Sequence, residues 1–152
     1  MGTAKIMERG KGQLHRTFTI LGTPHYMAPE ILLGKGYSYP IDLWSLGICL
    51  YEFMCGMVPF GEELEDPYQI YNAIATQNLQ YPPYFPLKKN KLVKIFIEQL
   101  LNRIPDARTA GSYEALKANA WYDDFEWVIF LCLKKLGLVD FEGIEAALYP
   151  PE

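Results

Sequence analysis

Gly22-Thr23-Pro24-His25-Tyr26-Met27-Ala28-Pro29-Glu30, followed a dozen positions later by Asp42-Leu43-Trp44-Ser45-Leu46-Gly47, is the stretch on which the fold turns. Ala28 to Leu33 can form a short helix, and Gly34-Lys35-Gly36 ends it. Pro40 then suits the first turn of a second helix running to about Gly56, a natural C-terminal stop. That helix is apolar nearly all round, with Ile41, Leu43, Trp44, Leu46, Ile48, Cys49, Leu50, Phe53 and Met54 along it. Such a helix belongs at the centre of a domain or in a membrane. Asp42 and Glu52 interrupt it before a span of membrane length accumulates, so the centre of a domain is the reading.

Working outward, Met57 to Glu65 reads as a loop carrying Pro59, Gly61 and several acids. Asp66 is placed to cap a helix that begins at Pro67 and runs through Gln77. Tyr81-Pro82-Pro83-Tyr84-Phe85-Pro86 is an extended connector, because each proline removes a donor and restricts the residue before it. Its polyproline flavour could serve an SH3-type domain, but a tightly docked loop is the commoner use of such a run. Lys91 to Asn102 has helical spacing at Leu92, Ile95, Phe96, Gln99 and Leu100. Ile104 to Ala110 reads as a turn, Ser112 as the cap of a short helix ending near Asn119, and Phe125 to Leu138 as a further helix. Residues 1–22 lack periodicity and read as loop. The order is helix after helix with no strand pairs, so the fold class is mainly α.

Length and composition bound the function. The chain has 152 residues, 50% of them hydrophobic and 21% charged, which suits one domain with a real core and excludes a disordered chain. A net charge of -4 argues against a nucleic-acid binder. The aromatic run from Tyr81 to Phe85 has no basic residues interleaved, which argues against single-stranded nucleic acid too. Charge is unevenly placed: Lys5, Arg9, Lys11 and Arg16 crowd the start, whereas Glu62, Glu63, Glu65 and Asp66 form an acidic run. Cys49, Cys55 and Cys132 make no CxxC pair and no metal spacing, so no metal site is expected and a reducing, cytoplasmic location is. The longest apolar run, Val128 to Leu133, is far too short to cross a bilayer. Gly10-Lys11-Gly12 mimics part of a phosphate loop but continues into neither GxGxxG nor GK[ST], and carries no nucleotide site.

The motifs themselves carry a resemblance. Ala28-Pro29-Glu30 matches the triplet that closes the activation segment of protein kinases. Asp42-Leu43-Trp44-Ser45-Leu46-Gly47 looks like the start of the long central helix of their C-lobe. Together with Gly2-Thr3-Ala4-Lys5, Gly34-Lys35-Gly36-Tyr37 and Pro59-Phe60-Gly61, they make residues 1–125 resemble a eukaryotic serine/threonine kinase of the AGC group, most like the cGMP-dependent protein kinases of protists. The fold the resemblance implies is the helical part of a kinase C-lobe, with the N-lobe and the catalytic loop absent and Gly2 standing where the Asp-Phe-Gly motif ends.

Roles follow from that resemblance, position by position. Thr19 corresponds to the activation-loop phosphothreonine, where a phosphate adds nearly two negative charges and three acceptors, and Lys5 to the lysine that meets it. Thr23 matches the hydroxyl that supports the catalytic loop. Ile20, Pro24 and Met27 match the apolar pocket for the substrate residue after the phosphoacceptor. Glu52 matches a carboxylate that binds a substrate arginine, a fork-shaped partner. His25 stands where protein kinase A has an acidic residue; it either alters selectivity or is a surface imidazole with no role. Glu30 and Arg108 match a structural ion pair. Asp42 matches a carboxylate that accepts from the catalytic-loop backbone; here it is either poorly satisfied or a partly hydrated acid in the first helical turn.

Phosphoryl transfer needs a glycine-rich loop, a lysine paired with a glutamate, and a catalytic aspartate with metal-binding partners. None is encoded in these residues, so ATP and Mg2+ are expected in the full-length family and not for this chain alone. The expectation is a kinase fragment that docks a protein substrate with basic residues before the acceptor. The alternative is a non-catalytic binding module or a truncated gene product. Trp121-Tyr122-Asp123-Asp124-Phe125 and Asp140-Phe141-Glu142-Gly143-Ile144 look like two halves of one family segment. Residues 126–139 between them are read as an insertion, and residues 140–152 as a truncated AGC-type C-terminal tail.

Overall fold

The computed structural model describes residues 23–34, 36–85, 91–111 and 113–128. They fall into two compact units, the first ending at Trp121 and the second beginning at Tyr122. The first is built from five helices: α1 (Pro29–Leu32), α2 (Pro40–Cys55), α3 (Pro67–Thr76), α4 (Lys91–Leu100) and α5 (Tyr113–Lys117). Two 3-10 turns, Pro24–Tyr26 and Pro105–Gly111, connect and brace them. The segment expected as a plain turn, Ile104 to Ala110, is thus mostly helical, closed by Ala107 N–H on the Ile104 carbonyl at 3.1 Å. The cap expected at Ser112 lies outside the described residues.

Local chemistry sets the helix limits. Pro40 occupies the first turn of α2, where its missing N–H would have had no partner. Gly56 ends the helix at φ 73°, a left-handed position that a side chain would resist, and its N–H reaches the Glu52 carbonyl at 2.7 Å. Asp66 caps α3 by accepting from Tyr68 N–H at 2.9 Å, with Pro67 following.

α2 is the hub: α4 and both 3-10 turns pack on it, and α3 packs on α1 and on the turn Pro24–Tyr26. Trp44, Ile48, Tyr51, Phe60, Ile70, Ile74, Val93 and Ile97 are among the core side chains. Burying each such apolar side chain contributes about 2 kcal/mol. Trp44 stacks on Phe60 with ring centres 5.9 Å apart. At Gly47 the two long helices nearly touch, since a Cβ there would lie 2.8 Å from Leu100 Cβ.

The connector after α3 is docked rather than free. Phe85 is buried and Tyr81 packs 4.8 Å from it, centre to centre. Tyr51 donates to the Gln80 carbonyl at 2.6 Å, and Tyr84 donates to that of Cys55. Arg103 holds the end of α3 by donating to the carbonyls of Ile74 and Gln77.

In the second unit, Tyr122, Phe125 and Trp127 pack edge to face, with Phe125 and Trp127 ring centres 4.6 Å apart. The helix expected over Phe125 to Leu138 begins at Trp127 and otherwise lies outside the described residues, as do nearly all of the proposed insertion and the whole tail.

Candidate functional site

The turn Pro24–Tyr26 is closed by its own backbone: Tyr26 N–H reaches the Thr23 carbonyl and Met27 N–H that of Pro24, both at 3.1 Å. Side chains then fasten it from two directions. Ser45 on α2 donates to the Tyr26 carbonyl at 2.9 Å. Tyr26 donates its hydroxyl to Glu52, also on α2, at 2.6 Å. His25 Nε2 meets the Gly61 carbonyl at 3.0 Å. The turn therefore bridges α2, at Ser45 and Glu52, and the acidic loop that precedes α3.

The Tyr26–Glu52 bond sets the local electrostatics. Accepting at a carboxylate is a strong, short arrangement. The phenol is pushed up to about 12, first by that hydrogen bond and then by desolvation, with the charges of Glu52 and Glu62 adding to it. Glu52 is half-buried, so one side of its carboxylate is held while the group remains reachable. Glu62, exposed, accepts from Val58 N–H at 2.7 Å and is thereby fixed at the edge of the same face.

A second constellation lies behind the turn. Glu30 on α1 and Arg108 in the second 3-10 turn meet through a bidentate pair, 2.6 Å at Nη1 and 2.7 Å at Nη2. Arg108 also donates to the carbonyls of Pro40 at 3.0 Å and Asn102 at 2.7 Å, and its guanidinium lies 5.1 Å from the Trp44 ring centre. Both residues are buried. A buried guanidinium is tolerable because its donors are spent in this way.

The other residues singled out from the sequence are placed as follows. Thr23 is exposed and makes no side-chain cap bond to the turn it precedes. Pro24 is half-buried, while Met27 is 6% exposed and belongs to the core, so it offers a substrate side chain little surface. Asp42 is exposed in the first turn of α2; partial desolvation raises its carboxyl above the ordinary value. Its exposed position in the first turn is one that the helix dipole favours for an acid. Thr19, Lys5 and Ile20 lie outside the described residues. Among the described residues no three His, Cys, Asp or Glu side chains come together to hold a metal.

The hydrogen bonds of Tyr26 and His25 went unread in the sequence. Each joins positions far apart, 26 and 36 residues respectively, and no local pattern announces such a bond.

Comparison with known proteins gives this geometry a family. The model of the protein kinase domain matches residues 1–122. The chain is 41% identical over 131 residues to a cGMP-dependent protein kinase of Toxoplasma gondii, covering 83% of this chain and 13% of that protein. Over 131 residues it is 40% identical to a cGMP-dependent protein kinase of Plasmodium berghei, covering 83% of the chain and 15% of the relative. A cAMP-dependent protein kinase catalytic subunit of Dictyostelium discoideum is 35% identical over 128 residues, covering 83% of the chain and 19% of the relative. The chain thus spans a small part of the length of each relative. The helical hub, the turn bound to it and the matched span agree: the chain belongs to the protein kinase family.

Proposed function

We propose that this chain supplies the substrate-docking face of a serine/threonine protein kinase of the cGMP-dependent kind. The whole protein transfers the γ-phosphate of ATP, with Mg2+, to Ser or Thr of protein substrates that carry basic residues before the acceptor. The observation that carries this is the Tyr26–Glu52 bond, which holds a half-buried carboxylate beside an ordered turn. A fixed carboxylate of this kind suits a guanidinium, whose donors match its geometry.

In this reading Glu52 takes the substrate arginine, and Pro24 and Ile20, with the small exposed part of Met27, flank the residue after the acceptor. Thr23 supports the catalytic loop, and Thr19, once phosphorylated, is held by Lys5. Glu30, Arg108 and Asp42 keep structural roles. Residues 1–125 form the kinase-domain part, 126–139 an insertion and 140–152 a tail segment. ATP and Mg2+ are bound by groups other than those in these 152 residues, so the polypeptide alone is inactive. A cytoplasmic location is part of this reading, Cys49 and Cys55 being free thiols. None of the described helices is long and apolar enough to cross a membrane.

The test is binding of a fluorescent serine peptide with arginine two positions before the acceptor. Measurable binding that Glu52→Gln weakens about tenfold or more is expected. Binding unaffected by Glu52→Gln, or equal for an alanine-substituted peptide, overturns the reading. Incorporation of labelled phosphate by the purified polypeptide would overturn its inactivity.

A further inference from the structure

We infer that His25 is a positioning residue of the docking face: its Nε2–H, bonded to the Gly61 carbonyl at 3.0 Å, keeps Tyr26 on Glu52. The inference rests on Glu52 being the docking carboxylate, and it assigns the part that fixes that carboxylate's donor.

The turn around Tyr26 has two side-chain tethers to α2, from Ser45 and to Glu52, and both act on Tyr26 itself. α3 packs on the turn as well, but neither tether from α2 ties it to the loop that precedes α3. His25, half-buried, does so by reaching a carbonyl 36 positions away. The carbonyl it chooses is itself rigid. Gly61 lies at φ 67°, and its carbonyl also accepts from Leu64 N–H at 2.9 Å. The next residue, Glu62, is pinned to Val58 N–H at 2.7 Å. His25 therefore anchors the turn to a closed loop.

Losing that anchor leaves the turn held by α2 and by the packing of α3, with no hydrogen bond fixing its position against the loop before α3. A movement of about 1 Å is enough to break a short, directional bond such as that from Tyr26 to Glu52. Without its donor the Glu52 carboxylate samples more rotamers, and ordering it again is a cost charged against each bound arginine. A Gln side chain at position 25 carries an N–H at nearly the reach of Nε2, whereas Leu fills the volume without a donor.

The experiment uses the whole 152-residue chain with 13Cζ-labelled tyrosine, the Tyr26 resonance being assigned through Tyr26→Phe. In the unaltered chain Tyr26 should titrate near 12. His25→Leu should return it toward the ordinary phenol value of about 10, and His25→Gln should keep it high. Arginine-peptide affinity should fall about five- to tenfold in His25→Leu and be restored in His25→Gln. A Tyr26 titration unmoved by His25→Leu, or a Gln variant as impaired as Leu, overturns the inference. Imidazole 15N shifts of the unaltered chain add a check that needs no variant: a bare Nε2 overturns the inference. If Glu52→Gln binds the peptide normally, the docking reading fails on its own, while the Tyr26 titration still judges His25.

Discussion

Arg108 and Glu30 stand 78 positions apart in the chain and meet as a bidentate pair at 2.6 and 2.7 Å, both buried. The guanidinium also takes in the carbonyls of Pro40 and Asn102, so one side chain ties α1, the start of α2 and the loop after α4 together. Removing one partner strands the other charge away from water. Arg108→Ala and Glu30→Ala should each cost about 3–5 kcal/mol, read as the urea midpoint of unfolding. Arg108→Lys should recover little, because a single ammonium cannot serve two carboxylate oxygens and two carbonyls in fixed directions.

Gly47 inside α2 and Gly56 at its C-terminal end show two different reasons for a glycine. A Cβ at Gly47 would lie 2.8 Å from Leu100 Cβ and from Leu101 Cδ2, at the closest approach of α2 and α4. Gly47→Ala should therefore cost about 1–3 kcal/mol through displacement of α4. Gly56 has open space around it and φ 73°, so Gly56→Ala should cost only about 1–2 kcal/mol, through backbone conformation. Urea unfolding of the two variants should rank them, and side-chain contacts of Leu100 should shift by NMR only in the first.

What could be read from the sequence was local. Pro40 and Gly56 bound α2, and Asp66-Pro67 opens α3, because each limit rests on one residue's own backbone chemistry. The Glu30–Arg108 pair was suggested by family resemblance alone, since no periodicity links positions so distant. His25 and Gly61 could not be matched at all: a carbonyl acceptor has no side-chain signature. Met27, given a pocket role by the resemblance, is 6% exposed and packs in the core, a burial that its residue type does not announce. An apolar residue in a turn looks the same in a sequence whether it faces a ligand or its own domain.

Raising the pH should loosen the docking turn. The Tyr26 phenol, held near 12 by Glu52, keeps its proton in the folded chain while the unfolded chain releases it at about 10. Its stabilising contribution is therefore complete below about pH 10 and lost as pH climbs through 12. Tyr51 and Tyr81 are raised by burial as well, so they add to the same alkaline loss. Tyr26→Phe should flatten, without abolishing, the fall in urea midpoint between pH 9.5 and 11.5. An unchanged slope would mean that the Tyr26–Glu52 bond does not persist in solution.

α2 presents one face of mixed character: Asp42, Leu46, Cys49, Leu50 and Phe53 recur at helical spacing, with Phe53 83% and Leu46 39% exposed. Neither side chain is among the core residues, and Phe53 keeps most of its surface in water, so its polar replacement removes little that folding buries. Phe53→Gln should leave stability, read from the urea midpoint, within about 0.5 kcal/mol of the unaltered chain, and adding Leu46→Gln should cost about 1 kcal/mol more. The same pair should reduce binding of an environment-sensitive dye and concentration-dependent self-association measured by sedimentation, since contiguous exposed apolar area drives both. A drop in stability of several kcal/mol would show instead that this face is packed in solution. Unaltered dye binding would place the adhesive surface elsewhere, with Leu33, 61% exposed, and Ile104, 65% exposed, as the next residues to replace.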